Sequence, residues 1–300
     1  MSVSGTHAVA SPVPSRTAIA LALASVYLVW GSTYLFIRLA LEGYPPFLLG
    51  GTRFMASGLA LLAWQKWRGQ PMPTAVQWRN CAVVGTLLLA SGNGLVCYAE
   101  QSVASAIAAI VIASVPAWAG VFSWVYGRQL RRTEWIGIGI GFVGVVLLNV
   151  GGEFYAEPLG MGALVIAAIS WAFGSIWGSR GRDMPAPFTA TAAQMIAGGG
   201  IMLVVAALLG ERYQPDPPAL ATLSLLYLAV VGSIAGFGAY AFLLAHARPA
   251  VATSYAYVNP PIAVLLGVFV ADEKLQPFTF VAMGVILIGV VFISLRPKQS

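Results

Sequence analysis

The chain has 300 residues, of which 59% are apolar and only 9% charged, with a mean hydropathy of +0.82 and a formal net charge of +6. Ordinary soluble domains carry about 25% charged residues, so a chain this poor in charge must turn most of its surface to lipid. The positive charge does not point to nucleic acid, because Lys and Arg sit in short gaps between apolar runs and form no basic face.

Residues 1–16 read as a polar tail, and an apolar run follows from Thr17 to Ile37. Ala22-Leu23-Ala24 could pass for a cleavage motif, but the run continues about a dozen residues beyond it, whereas a signal peptide stops after an apolar core of about 7–15 residues. The run is expected to stay as a first membrane span. On it, Trp30 and Tyr34 are four residues apart and share a face with Thr33, and Ser32 lies beside them. Aromatic walls with a few polar groups are the usual lining of a small-molecule cavity; packing or an interfacial aromatic belt is the alternative.

The second span is placed at 47–65 and carries Arg53. An Arg near the membrane centre costs about 2.5–3.5 kcal/mol on insertion scales. Arg53 is expected to snorkel outward or pair with Glu100, the other role open to it being a contact with a substrate carboxylate. The third span, 80–99, sets Asn93 between Gly92 and Gly94, with Cys97 and Gln101 following at four-residue steps as a narrow polar stripe. Such a stripe either meets a ligand or bonds a neighbouring helix. Cys81 and Cys97 lie 16 residues apart on this helix, roughly 24 Å at helical rise, so no disulfide joins them.

The fourth span, 104–125, contains Pro116, and the ninth, 250–270, contains Pro260. Each proline frees a carbonyl one turn earlier, making both helices candidate hinges. Spans five to eight are placed at 134–150, 159–178, 187–209 and 220–243, and the tenth at 277–295. Trp171 and Ser175 share a face of the sixth, and Tyr257 and Asn259 precede Pro260 on the ninth; all four are candidate lining residues. Gly137/Gly141, Gly174/Gly178 and Gly232/Gly236 have the four-residue spacing of close helix packing. The expected fold is all-α, a polytopic bundle of ten transmembrane helices.

With both termini in the cytoplasm, the inner segments hold twelve of the sixteen Lys and Arg residues and the outer ones three, with Arg53 inside a helix. This asymmetry follows the positive-inside rule and supports the span count. The chain also repeats itself. Trp30-Gly31-Ser32-Thr33-Tyr34 returns as Phe173-Gly174-Ser175-Ile176-Trp177 at an offset of 143, Pro116 as Pro260 at 144, and Gly144-Val145-Val146 as Gly289-Val290-Val291 at 145. The domain reading is a tail (1–16) and two five-helix repeats (17–150 and 151–300), the second ending in a short cytoplasmic tail. An odd number of spans turns the second repeat upside down, an arrangement that puts a transporter's substrate site at mid-membrane between the halves.

The Trp-Gly-Ser start of this motif, Gly51-Thr52-Arg53-Phe54, Tyr98-Ala99-Glu100-Gln101, the Pro116 helix and Ala271-Asp272-Glu273-Lys274-Leu275 resemble the drug/metabolite transporter superfamily, specifically its EamA-type ten-helix exporters. The resemblance covers about residues 17–295 and is nearest to the inner-membrane amino-acid and metabolite exporters typified by YddG and YedA. It implies export of amino acids or similar small metabolites from a bacterial cytoplasm, through the inner membrane. One departure is Gly127-Arg128-Gln129-Leu130, where the family has a Gly-Glu-Arg-Leu-type turn that only the second half keeps, as Asp272-Glu273-Lys274.

No Asp or Glu falls at a helix centre, and Glu100 lies at an outer edge. A proton-coupled pump needs such a carboxylate, so uniport or facilitated exchange is expected, with efflux of hydrophobic drugs or toxic metabolites, with or without proton coupling, as the alternative. The only histidines, His7 and His246, are far apart in sequence, and no zinc helix or phosphate-binding loop is present. The expectation is therefore no enzyme, no metal, no cofactor, and no partners beyond a small-molecule substrate and the lipid bilayer.

Overall fold

The computed structural model describes residues 15–103, 108, 111–148, 157–180, 182–271 and 277–294. The N-terminal tail with His7, the Gly151-Gly152 linker, the Asp272-Glu273-Lys274 turn and the C-terminal tail lie outside the described residues. The helices are α1 (Arg16–Leu41), α2 (Pro46–Trp67), α3 (Ala75–Ala99), α4 (Val115–Val125), α5 (Arg132–Leu148), α6 (Pro158–Gly178), α7 (Pro187–Leu208), α8 (Ala219–His246), α9 (Tyr255–Ala271) and α10 (Pro277–Ser294). Six of them, α1, α2, α3, α6, α7 and α8, are each long and apolar enough to cross a membrane.

Local chemistry explains where these helices begin and end. Ser15 Oγ accepts from the Ala18 N–H at 3.1 Å to cap α1, and Thr74 and Gln77 form a reciprocal capping box on α3. The first turn of α2 is closed from the other half of the chain: the Glu211 carboxylate accepts from the N–H groups of Phe47 at 3.3 Å and Leu48 at 2.7 Å. A carboxylate there satisfies orphan donors and meets the positive end of the helix dipole. Gly69 and Gly210, with φ near +71°, end α2 and α7 in the left-handed conformation that glycine adopts without penalty.

The two halves fit together by equivalent helices. Along α2 and α7, Gly50 faces Met202, Met55 meets Gly199, and Gly58 faces Ala192 and Ile196. Along α5 and α10, Gly137 faces Ile293, Gly141 faces Gly289, and Gly144 faces Ile286. Numbers rise on one helix as they fall on the other, so each helix runs antiparallel to its own repeat mate. This is the signature of an inverted repeat. The remaining packing obeys the same exchange: α1 lies against α9 as α6 lies against α4, and α1 against α8 as α6 against α3. A methyl group on Gly137 would come within 2.6 Å of the Gly289 carbonyl oxygen, so the backbones themselves touch.

Two helices are locally unwound in a way that the sequence pattern hides. α3 is π-helical over Thr86–Gly94 and α8 over Leu228–Ala235, matched places in the two halves. A π segment misaligns the usual bonding and frees carbonyls. In α8, Ser233 Oγ donates to the Leu228 carbonyl at 2.9 Å, Ser57 Oγ to that of Ala229 at 2.7 Å, and Trp30 Nε1 to that of Gly232 at 3.2 Å.

The two expected proline hinges differ. Residues 113–114 form a turn and Pro116 sits in the first turn of α4, so it starts that helix rather than kinking one. Pro260 and Pro261 lie inside α9, while the ninth span is broken earlier, at residues 253–254, after a helical turn over Pro249–Ala252.

Candidate functional site

A cavity of about 70 Å³ lies at the meeting of the two halves, room for a handful of waters or a small solute. From α1 it is lined by Trp30, Thr33, Tyr34 and Ile37, and from α2 by Arg53. Asn93 of α3 and Trp171 of α6 line it, and so do Phe237 of α8 and Tyr255 and Asn259 of α9. Of the ten lining candidates read from the sequence, Trp30, Thr33, Tyr34, Asn93, Trp171 and Asn259 come together here. Ser32, Cys97, Ser175 and Tyr257 do not line this cavity.

Each of those four has other work. Ser32 Oγ donates to the Val29 carbonyl at 2.7 Å and lies 2.7 Å from the Tyr227 hydroxyl. Cys97 is buried beside Leu49 and Leu228, with its thiol 3.6 Å from Asn93 Oδ1. Tyr257 is 0% exposed and packs with Ala113, Ile138 and Ile286 over Gly141. Tyr255, four residues before Asn259 on the same helix, shares its face and lies beside the cavity instead.

Trp30 is the hub of the walls. Its ring centre lies 5.5 Å from Trp171, 4.9 Å from Phe237, 5.0 Å from Tyr240 and 4.8 Å from Tyr255. Such edge-on and tilted pairs are the favoured aromatic geometries. Two glycines at matched positions make room for the indoles. Gly236 sits against Trp30, and a methyl on Gly92 would come within 2.6 Å of the Trp171 ring.

Sequence reasoning missed Phe237, Tyr240 and Tyr255. A signal for the first was present: Gly92-Asn93-Gly94 returns as Gly236-Phe237-Gly238 at an offset of 144. Asn93 and Phe237 are thus the same position of the two repeats, and both face the cavity.

Arg53 also departs from expectation. It is 2% exposed and lines the cavity instead of reaching outward. Its Nε donates to Ser233 Oγ at 3.1 Å, and its Nη1 has no partner. Among the described residues it forms no ion pair with Glu100, whose carboxylate oxygens are themselves buried and unpartnered. The other orphan at the cavity is Asn259 Oδ1.

A second, roomier cavity lies toward the basic end of the bundle, where Arg180, Arg182 and the 179–186 connection sit. Val84, Gly178, Met184, Thr191 and Leu244 are among its lining residues. Phe237 borders both cavities, and Ser175 and Tyr240 border this one. The layer between them is tied by hydrogen bonds: the Tyr240 hydroxyl accepts from Trp171 Nε1 at 3.3 Å and lies 2.8 Å from Ser175 Oγ. At the same end, Arg248 pairs with the buried Glu134 at 2.5 Å, and burial together with the neighbouring arginines pulls the Arg248 guanidinium below its usual range while Glu134 opposes that.

The repeat seen in the packing has a counterpart in families of known sequence. The sequence model of the EamA-like transporter family matches this chain twice, over residues 16–150 and 158–295. The chain belongs to the EamA-like transporter family. An EamA relative from Escherichia coli K12, named "Uncharacterized inner membrane transporter YedA", is 43% identical over 275 residues, covering 91% of this chain and 90% of the relative. An "Uncharacterized transporter" of Archaeoglobus fulgidus is 27% identical over 293 residues, 93% of this chain and 98% of the relative. A solved crystal structure superimposes with a TM-score of 0.77 at 21% identity, covering 93% of this chain and 96% of the other, which shows the shared fold.

Proposed function

We propose that this EamA protein moves amino acids or similar small metabolites out of a bacterial cytoplasm across the inner membrane, by alternating access. The observation that carries the reading is the position of the cavity: it lies where two inverted halves meet, and an aromatic layer divides it from a second cavity at the basic end. Rocking one half against the other would open each side in turn. The basic end is then cytoplasmic, with both termini, a reading that the charge asymmetry supports. The six cavity-lining candidates from the sequence act as substrate contacts, and Pro260 together with the turn before it acts as the flexible element.

No Asp or Glu lines the cavity among the described residues, which supports uniport or facilitated exchange. The test is counterflow in proteoliposomes, with a labelled amino-acid panel beside quaternary-ammonium dyes. Amino-acid uptake is expected; dye uptake alone would replace the reading with drug efflux. A proton-coupled version of drug efflux has one observation behind it, the unpartnered buried carboxylate of Glu100. Flux that rises several-fold with an imposed proton gradient, and loses that response in Glu100→Gln, would favour it.

A further inference from the structure

Arg53 is the one charged residue among the described lining of the central cavity. The Phe54 ring centre lies 4.3 Å from its guanidinium carbon, a cation–π contact that supplies no hydrogen-bond acceptor. Ser233 holds Nε, and Ser233 is itself fixed because the π-helical stretch of α8 frees the Leu228 carbonyl to receive its proton. The fork is therefore oriented from behind, with Nη1 buried and without a partner. A buried guanidinium nitrogen without an acceptor is expensive, and the natural partner for that planar fork is a carboxylate. Asn259, 2% exposed, lines the same cavity, and its buried Oδ1 has no donor. One orphan is a cationic donor and the other a neutral acceptor.

We infer that the cavity selects solutes bearing a single carboxylate, gripped by the Arg53 guanidinium, with a second hydrogen-bonding group on the same solute meeting the Asn259 amide. This deepens the transporter reading and rests on it. An α-amino acid or a hydroxy acid has both groups; a quaternary-ammonium dye has neither and brings a like charge toward Arg53. The walls of Trp30, Trp171 and Tyr255 supply apolar contact for the rest of the solute, and the small volume limits its size.

The decisive arm uses the wild-type protein. Binding is read by the fluorescence of the cavity tryptophans, and transport by counterflow in liposomes, for L-alanine and L-phenylalanine and their amides. Propionate and 3-phenylpropionate, which lack the amine, complete the series. The acids are expected to bind about 10- to 100-fold better than the amides, the range for a hydrogen bond to a charged group, and removing the amine is expected to cost less. Arg53→Gln is expected to erase the acid-over-amide preference and Arg53→Lys to restore only part of it, because a point charge does not reproduce the fork. Should Arg53→Gln fail to give monodisperse protein, Ser233→Ala releases the grip on Nε while keeping the charge, and a smaller acid-over-amide ratio is expected.

Equal binding of acids and amides by the wild-type protein overturns the inference. So does a site that chloride occupies, seen as chloride-dependent quenching with no discrimination between acid and amide. Transport of dyes but not acids removes the inference and leaves the transporter standing. Transport of none of these compounds removes the transporter reading itself.

Discussion

The two cavities differ in what their polar side chains are doing. In the one toward the basic end, the buried Ser175, Thr191 and Tyr240 have hydrogen-bond partners within the protein, while Gln194 and Arg182 keep access to solvent. In the central one, Arg53 Nη1 and Asn259 Oδ1 have none. Water can wet either space, but a buried group already bonded offers a solute little in exchange for its hydration, whereas a buried unsatisfied one gains more from a new partner. On the proposed reading the first serves as a vestibule and the second as the binding site, although the first is the larger.

That contrast can be broken most severely at Trp30. Trp30→Ala removes the hub of the aromatic layer shared by the two spaces and is expected to cost about 3–5 kcal/mol of stability, visible as a large drop in the melting temperature in detergent. Solute counterflow should fall with it. Retained flux and unchanged melting would show that the layer does not separate the cavities. Tyr240→Phe is a milder cut, deleting the hydroxyl that joins Trp171 to Ser175. A cost of about 1 kcal/mol is expected, together with faster passive leak of a small solute through empty liposome-embedded protein; a leak equal to wild type would place the barrier elsewhere. Smallest of all should be Thr191→Val in the vestibule. Its hydroxyl bonds only the Pro187 carbonyl one turn back, so stability should change by no more than about 0.5 kcal/mol and transport affinity not at all. A tenfold loss of affinity there would move the binding site into the vestibule.

How far the sequence reveals this arrangement depends on the scale of the feature. Span positions were legible because apolar length is dictated by bilayer thickness; α7, expected over 187–209, runs Pro187–Leu208. The repeat was legible because glycines that bring backbones together leave few alternatives. Side-chain direction was not. Within α9, Tyr255 and Asn259 are four residues apart and share the cavity face, whereas Tyr257, two residues from each, turns away into the packing beside Ile138 and Ile286. Hydrophobic periodicity does not mark the π segments either, since their residues stay apolar while the bonding partner shifts by one. Arg53 was weighed by the cost of exposing it to lipid, and its resolution depends on Ser233, 180 residues away in sequence.

The antiparallel seams of α2 with α7 and α5 with α10 have a further consequence. A frame assembled from a unit and its upside-down copy looks alike from either face, so the scaffold by itself cannot tell inside from outside. Handedness across the bilayer has to reside where copying was not kept: Arg53 answers to Ala197 in the other half, Asn259 to Val115, and Asn93 to Phe237. On the proposed reading, these unmatched positions are where a bound solute meets the two sides of the bilayer differently.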